Sequence, residues 1–252
     1  MICSVSSGDE TDWVAVWSAA GERSLDVYFR KSSEPEETRV LTNDNLNQYT
    51  PVVAKTDRGA YMVVWSEETG VLSSDLRFVT IDTDTTSQVQ TIPASADQNA
   101  QPTLITDDTG RIWCVWVGFD GSDDELYFSH YYQGKWADGR LVDAEPNEVP
   151  DLVPEARLVG SSIRLTWKRF DLEAGAYVAM SSALDLGAPD RDWVAPETVV
   201  KNPFEFSNAF PEGFNIPRDI EHIESLALHI ESDPSRVFHV DRMRLAPQTN
   251  LD

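Results

Sequence analysis

The apolar segment RIWCVW, residues 111–116, is one copy of a repeat, and that repeat constrains the fold more than any other feature of the chain. Setting PVVAKTDRGAYMVVW (51–65) above PTLITDDTGRIWCVW (102–116) aligns Pro51 with Pro102, Gly59 with Gly110 and Trp65 with Trp116, each 51 residues apart and without a gap. The same offset leads on to Trp167 in SSIRLTW, and a step of 48 leads back to Trp17 in DWVAVW. After each Trp come a polar turn and a second apolar run (LDVYF, DLRF, ELYF, AYVAM), then a third (TRVL, VQTI, GRLV, ETVV). Asn-containing turns, NQYTP, NAQP and NEVP, lead into the Pro of the next copy. Short strands punctuated by Gly, Asp, Asn, Ser and Pro, with no helical periodicity through residue 200, make the chain all-β. Four strands per unit at a period of about 50 residues is the pattern of a β-propeller blade.

The expected architecture is a single domain over 1–252, a five-bladed propeller with repeats at approximately 10–46, 47–97, 98–146, 147–201 and 202–247. The fifth copy is diverged: NAFP (208–211) matches the spacing of NAQP, and SLALHI and RVFHVDRMRL stand for its middle strands, with FNIPRDIEH as an insertion of one helical turn. Copy one lacks room for a strand before DWVAVW, so a tail strand such as RMRLAP is expected to complete it. The rival arrangement is an incomplete ring closed by another chain, which leads to self-association.

The segment TDDTGRIW carries Thr106, Asp108, Gly110 and Trp113 in the spacing of an Asp box, and with its flanking strands it resembles the repeat of sialidase-type (BNR) β-propellers. Copy two departs from the pattern, with Met62 in the Trp place, and copy four keeps only Gly160. The resemblance implies fold more than activity. Sialidases of this kind carry an Arg triad, a Tyr nucleophile with a Glu partner and an early F-R-I-P-like motif. The nearest string here is FNIP (214–217), near the other terminus and with Asn215 in the Arg place, so no sialidase catalytic residue is carried over.

The chain has 43 acidic and 20 basic side chains, a net charge of −23. Such a surface repels phosphate backbones and excludes nucleic acid as a partner class. No apolar run reaches bilayer-spanning length, and the first residues lack a hydrophobic signal core. The start CSVSSGD also suits the tether of a processed lipoprotein, and the expected location is extracellular, cell-surface or periplasmic. Cys3 and Cys114 form no metal-ligand pattern, and no zinc-hydrolase His pair, nucleophile elbow or phosphate loop occurs.

The four repeated tryptophans read as packing residues between blades. The sugar-binding candidates are instead Tyr131, Tyr132 and Trp136 in YYQGKW, with Trp193 in DRDWVAPE, because flat aromatic rings at loops on a rigid scaffold suit the C–H faces of sugars. Asp120, Asp123 and Asp124 in DGSDDE are the candidate calcium ligands, although the run lacks the spacing of an EF-hand loop. The favoured reading is a non-catalytic recognition module for carbohydrate or a protein surface, working through propeller loops. The alternative is a glycan-processing enzyme, hydrolase or lyase, with carboxylates and the arginines Arg218, Arg236, Arg242 and Arg244 around a central channel. A third reading is a structural role driven by incomplete closure.

Overall fold

The computed structural model describes residues 2–9, 12–82, 85–94, 96–119, 121–145, 147–187, 192–199, 223–229 and 237–243. Every regular element among them is a β-strand. The chain divides into two compact units, Met1–Val200 and Lys201–Asp252.

The first unit consists of four antiparallel meanders. Meander one is β1 (Ile2–Asp9), β2 (Asp12–Ala20), β3 (Leu25–Lys31) and β4 (Glu34–Val40). Meander two is β5 (Gln48–Lys55), β6 (Tyr61–Gly70), β7 (Ser73–Ile81) and β8 (Gln90–Thr91). Meander three is β9 (Gln98–Thr106), β10 (Ile112–Phe119) and β11 (Asp124–Tyr132), with β12 (Lys135–Trp136) and β13 (Arg140–Leu141) both pairing with β11. Meander four is β14 (Asp151–Val159), β15 (Ser162–Asp171), β16 (Ala176–Asp185) and β17 (Glu197–Thr198). A single parallel bridge, Ser74 to Gln98, joins meanders two and three into one sheet.

One expectation is corrected at the start of the chain. The first strand of meander one is not borrowed from the tail: Ile2–Asp9 supplies it, pairing with β2 from Ile2↔Trp17 to Asp9↔Asp12. Eight residues suffice because a strand advances about 3.4 Å per residue and β2 itself is only nine residues long.

The core lies between successive meanders, which explains the doubly apolar second strands. On β10, Trp113, Val115 and Val117 pack towards meander four, whereas Ile112, Cys114 and Trp116 pack towards meander two. On β6, Tyr61, Val63 and Trp65 join Val14, Val16 and Phe29 of meander one, whereas Met62 and Val64 face meander three. Strand alternation therefore switches the partner and not the polarity. Trp65, Trp116 and Trp167 each face the preceding meander and are buried, as expected of packing residues. Cys114 is a buried free thiol whose ionisation burial suppresses.

The first strands of successive meanders, β1, β5, β9 and β14, run side by side. Each of the last three carries the same irregularity. Thr50, Gln101 and Val153 adopt left-handed φ values of 47°, 51° and 57°, each immediately before a Pro, and the ladder to the second strand slips at that point. The Pro of copy four is therefore Pro154, and not the Pro150 of NEVP. Val153 is β-branched and strained at such an angle, and its displaced N–H donates to Gln101 Oε1 at 2.9 Å, which ties β14 to β9.

The turn that resembles an Asp box also departs from the sequence expectation. Asp107, and not Asp108, organises it: its Oδ1 accepts from Thr109 N, Thr109 Oγ1 and Arg111 N, and its Oδ2 accepts from Trp113 Nε1 at 2.8 Å. Asp108 is exposed. Burial opposes ionisation of Asp107, yet these donors outweigh it and hold its pKa below the ordinary value. Gly110 (φ 78°) is required here, since a Cβ would meet Asp57 of the preceding copy's turn at 2.6 Å.

Asn99 is the main polar weld between meanders two and three. It is 1% exposed, its Nδ2 donates to Ser74 O and Ala96 O, and its Oδ1 accepts from Trp116 Nε1 at 2.9 Å. Asn99→Leu leaves one indole N–H and two carbonyls without their partner in a buried site. The expected loss is about 2–4 kcal/mol, several buried groups at about 1–3 kcal/mol each with partial relaxation, measured by urea denaturation.

The second unit contains β18 (Ile223–His229) and β19 (Val237–Met243), an antiparallel pair in register from Ile223↔Met243 to His229↔Val237. SLALH (225–229) and VFHVDRM thus form strands as expected, while Ile230, the insertion FNIPRDIEH up to His222, and Arg218, Arg236 and Arg244 lie outside the described residues. Among the described residues no helix is long and apolar enough to cross a membrane.

Candidate functional site

The two ends of the meander stack differ in chemistry. One end carries the hairpins that join second to third strands and the segments that enter each first strand. Asp26, Gln48, Glu67, Asn99, Glu125 and Asp151 lie there, each no more than 6% exposed. Buried polar groups persist only when bonded. Thr42 Oγ1 donates to Gln48 Oε1 at 3.0 Å, and Gln48 Nε2 donates to Asp44 Oδ1 at 3.0 Å. Arg77 Nε donates to Glu67 Oε1 at 2.7 Å.

A strongly perturbed carboxyl at this end is Glu125, at the start of β11. Burial raises its pKa, the Asn147 backbone N–H (2.9 Å to Oε1) partly offsets that, and the neighbouring charges of Asp151 and Asp123 raise it further against a smaller opposing effect of Arg169; the result is about 7. Asp151, at the start of β14, is held by a two-bonded ion pair: Arg169 Nε to Oδ1 at 2.8 Å and Nη2 to Oδ2 at 2.7 Å. The same Nη2 reaches Asp143 Oδ2 at 3.3 Å. Asp143 and Asn147 belong to the segment that crosses from meander three to meander four, so this segment covers Glu125 and is fastened by Arg169.

A second, solvent-facing group of side chains lies in meander two. Tyr49, 40% exposed and next to the left-handed Thr50, donates its hydroxyl to Glu68 Oε2 at 3.3 Å, and Asn47 Nδ2 donates to the same oxygen at 2.9 Å. Local desolvation, followed by the Glu68 charge, raises the Tyr49 pKa, so the phenol stays protonated and acts as a donor.

The four aromatic candidates from the sequence are elsewhere and do not share one surface. Tyr131 and Tyr132 end β11, so Tyr132 lies seven residues from Glu125, about 24 Å along a strand. Trp136 is 9% exposed and packs against Phe78 and Tyr131 between meanders two and three. Trp193 is half-buried on the opposite face of meander three, edge-on to Phe128. Tyr132 is the one exposed ring of the four, with the Arg111 guanidinium 4.5 Å from its centre. Trp136→Ala is therefore expected to cost about 3–5 kcal/mol of stability, the range for emptying a buried aromatic site, as read by chemical denaturation.

Asp123 and Asp124 sit at the hairpin between β10 and β11, and burial together with the Asp123 charge raises the Asp124 pKa. Asp120 lies outside the described residues. Among the described residues no three His, Cys, Asp or Glu side chains are grouped to hold a metal ion.

Glu125, Asp151, Arg169, Tyr49 and Glu68 are not among the candidates that the sequence singles out. One signal was present: Asp26, Asp75 and Glu125 each stand three residues before the repeated Phe29, Phe78 and Phe128. An acid recurring at one place in an apolar repeat marks a common end of the stack.

No family model matches the chain, and no curated protein matches it. Its likeness is to solved structures. An endo-arabinase from Bacteroides thetaiotaomicron VPI-5482 superposes with a TM-score of 0.51 at 13% identity, over 95% of this chain and 92% of that one. An alpha-L-arabinofuranosidase from Lactobacillus brevis gives 0.54 at 11% identity, over 77% and 70%. A xylan beta-1,4-xylosidase from Bacillus halodurans C-125 gives 0.50 at 12% identity over 79% of this chain, which spans only 41% of the xylosidase. A polysaccharide lyase is also among the similar structures. At these identities the likeness shows an all-β fold shared with sugar-processing proteins. The comparisons do not show a sialidase-type repeat, and they overturn the preference for a non-catalytic recognition module: the similar structures are named as glycan-processing enzymes, the alternative reading of the sequence.

Proposed function

We propose that the chain is a glycan-processing enzyme, a glycoside hydrolase on a five-bladed β-propeller whose fifth repeat is 202–247, with its site at the acid-rich end of the meander stack. The observation that carries this reading is Glu125, a carboxyl that keeps its proton up to about pH 7 beside the ion-paired Asp151. Glycoside hydrolysis uses two carboxyl groups in opposite states, one giving a proton to the leaving oxygen and one acting as base or nucleophile. Glu125 is the proton donor in this scheme. Glu68, on the solvent-facing side with Tyr49 and Asn47 as its donors, is the second carboxylate. Substrate reaches Glu125 by displacing the Asn147 contact that covers it. Successive packing of the meanders through their second strands, with first strands side by side, supports the propeller.

The test is incubation of the full chain with neutral, acidic and amine-bearing polysaccharides, with assay of both reducing ends and the ultraviolet absorbance of unsaturated uronates. New reducing ends without unsaturated product are expected. Unsaturated product replaces the hydrolase by a lyase, and no product from any polymer overturns the reading.

A further inference from the structure

Among the described residues of the first unit the charge is sided. At the end that holds Glu125, the hairpins and entering segments read SAAGERS (18–24), TNDNLNQ (42–48), SEETG (66–70), PASADQN (93–99), GSDDE (121–125), DAEPNEVPD (143–151) and DLEAG (171–175). Together they carry fourteen carboxylates and one base, Arg23, which is bonded to Asn45. The matching segments of the opposite end are RKSSE (30–34), KTDRGAY (55–61), TID (80–82), TDDTGRI (106–112), YYQGKW (131–136), LVGSSIR (158–164) and LDLG (184–187), and with Asp9 and Asp12 of the first hairpin and Asp192 they carry nine carboxylates and seven bases among the described residues. Charge that served only to solvate the protein would have no reason to prefer one end. The two arginines that reach the acidic end from the adjoining strands, Arg77 and Arg169, are both consumed in ion pairs there and offer nothing to an anionic ligand.

A concentrated negative field at one end attracts cations and repels anions of every kind, uronates and sulfated sugars included. An exposed Tyr ring at the same end, Tyr49, offers a face to sugar C–H groups and a hydroxyl already bonded to a carboxylate. We propose that the glycan taken at this end bears free amines, a polycation of the kind made by removing acetyl groups from an amino-sugar polymer. This assignment rests on the glycan-processing reading and names its substrate class. The two acid–base requirements also agree: sugar amines are charged on the acid side of neutrality, where Glu125 still holds its proton.

The experiment compares a glucosamine hexamer with an N-acetylglucosamine hexamer and a galacturonate oligomer, on the full chain, by calorimetric binding and by product release. The amine-bearing hexamer is expected to bind at least tenfold more tightly than either other oligomer. Its affinity should fall by about tenfold or more on going to 1 M salt, where the screening length is about 3 Å. The triple variant Glu145→Gln, Glu148→Gln, Glu173→Gln removes three exposed charges outside the ion pairs and should weaken amine binding several-fold while leaving thermal stability unchanged. Equal binding of the acetylated hexamer, or no salt dependence, overturns the substrate class. Cleavage of a neutral or acidic glycan in preference overturns it too and leaves the hydrolase reading standing; salt-sensitive binding of the amine oligomer without cleavage of any polymer supports the ligand class and overturns the hydrolase.

Discussion

Glu125→Gln is expected to lower turnover by about 10²–10⁴-fold, the contribution of a positioned general acid, with a small change in KM. Gln keeps the shape and can still accept from the Asn147 N–H, so the loss isolates the proton and not the fold. In the wild type the rate should fall as pH rises through about 7, the limb on which Glu125 loses its proton. The residual activity of the variant should show no such limb. Stability falls over the same range. The folded pKa of Glu125 lies above its unfolded value, so the folded state binds the proton more tightly. Its contribution is fully present below about pH 4.5 and is lost as pH rises through about 7. Gln has no proton to lose. The variant should therefore lose less stability than the wild type between pH 5 and pH 8, as measured by urea denaturation at several pH values. A parallel pH dependence in both proteins removes Glu125 as the titrating group.

Much of the fold was legible in the sequence because the repeat has a structural cause. The offset of 51 between Pro51 and Pro102, and between Trp65 and Trp116, reflects meanders that pack on one another in the same way, and each needs a bulky apolar residue facing the preceding one. The second strands β6 and β10 read as apolar on both faces because each is covered by two meanders. β15 alternates instead, with Ile163, Leu165 and Trp167 buried and Arg164, Thr166 and Lys168 exposed, and the sequence IRLTWK already shows it. What periodicity does not encode is the left-handed residue before each Pro, which moved the fourth alignment from Pro150 to Pro154. Nor does it show which of two adjacent acids a turn uses. Asp107 and Asp108 are equal in sequence, and only the hydrogen bonds separate them.

The site was less legible for a physical reason. The sequence search favoured exposed aromatics at turns, and YYQGKW fits that description until strand length is considered. β12 folds Trp136 back onto β11 opposite Tyr131, which turns its ring into the space beside Phe78. The acids were visible but uninformative, because a chain with 43 of them always contains runs such as DGSDDE. Glu125 differs from Asp123 and Asp124 only in being two and one positions further into β11, where the strand carries it under the segment holding Asn147. Burial, and not composition, gives it an unusual proton affinity.

Arg169→Met is expected to be the most destabilising single exchange at the site, at about 3–5 kcal/mol, the range for breaking a buried ion pair by removing one partner. Asp151 is 1% exposed and loses both of its guanidinium bonds, while Asp143 loses its contact at 3.3 Å. The methionine stem fills much of the volume beside the Trp167 ring, so the loss reports the stranded carboxylates more than an emptied space. Two further consequences distinguish this from a packing defect. Arg169 opposes the rise in the Glu125 pKa, so its removal should move the upper pH limb of activity to still higher pH. Asp143 also fastens the segment whose Asn147 covers Glu125, and amide hydrogen exchange across 143–149 should accelerate in the variant while exchange in β10 is unchanged relative to the new global stability. Asp151→Asn in the Arg169→Met background should recover part of the lost stability, since it removes the buried charge that the first exchange left unpaired. A double variant no more stable than Arg169→Met alone would show that the pair's charge is not what the fold depends on.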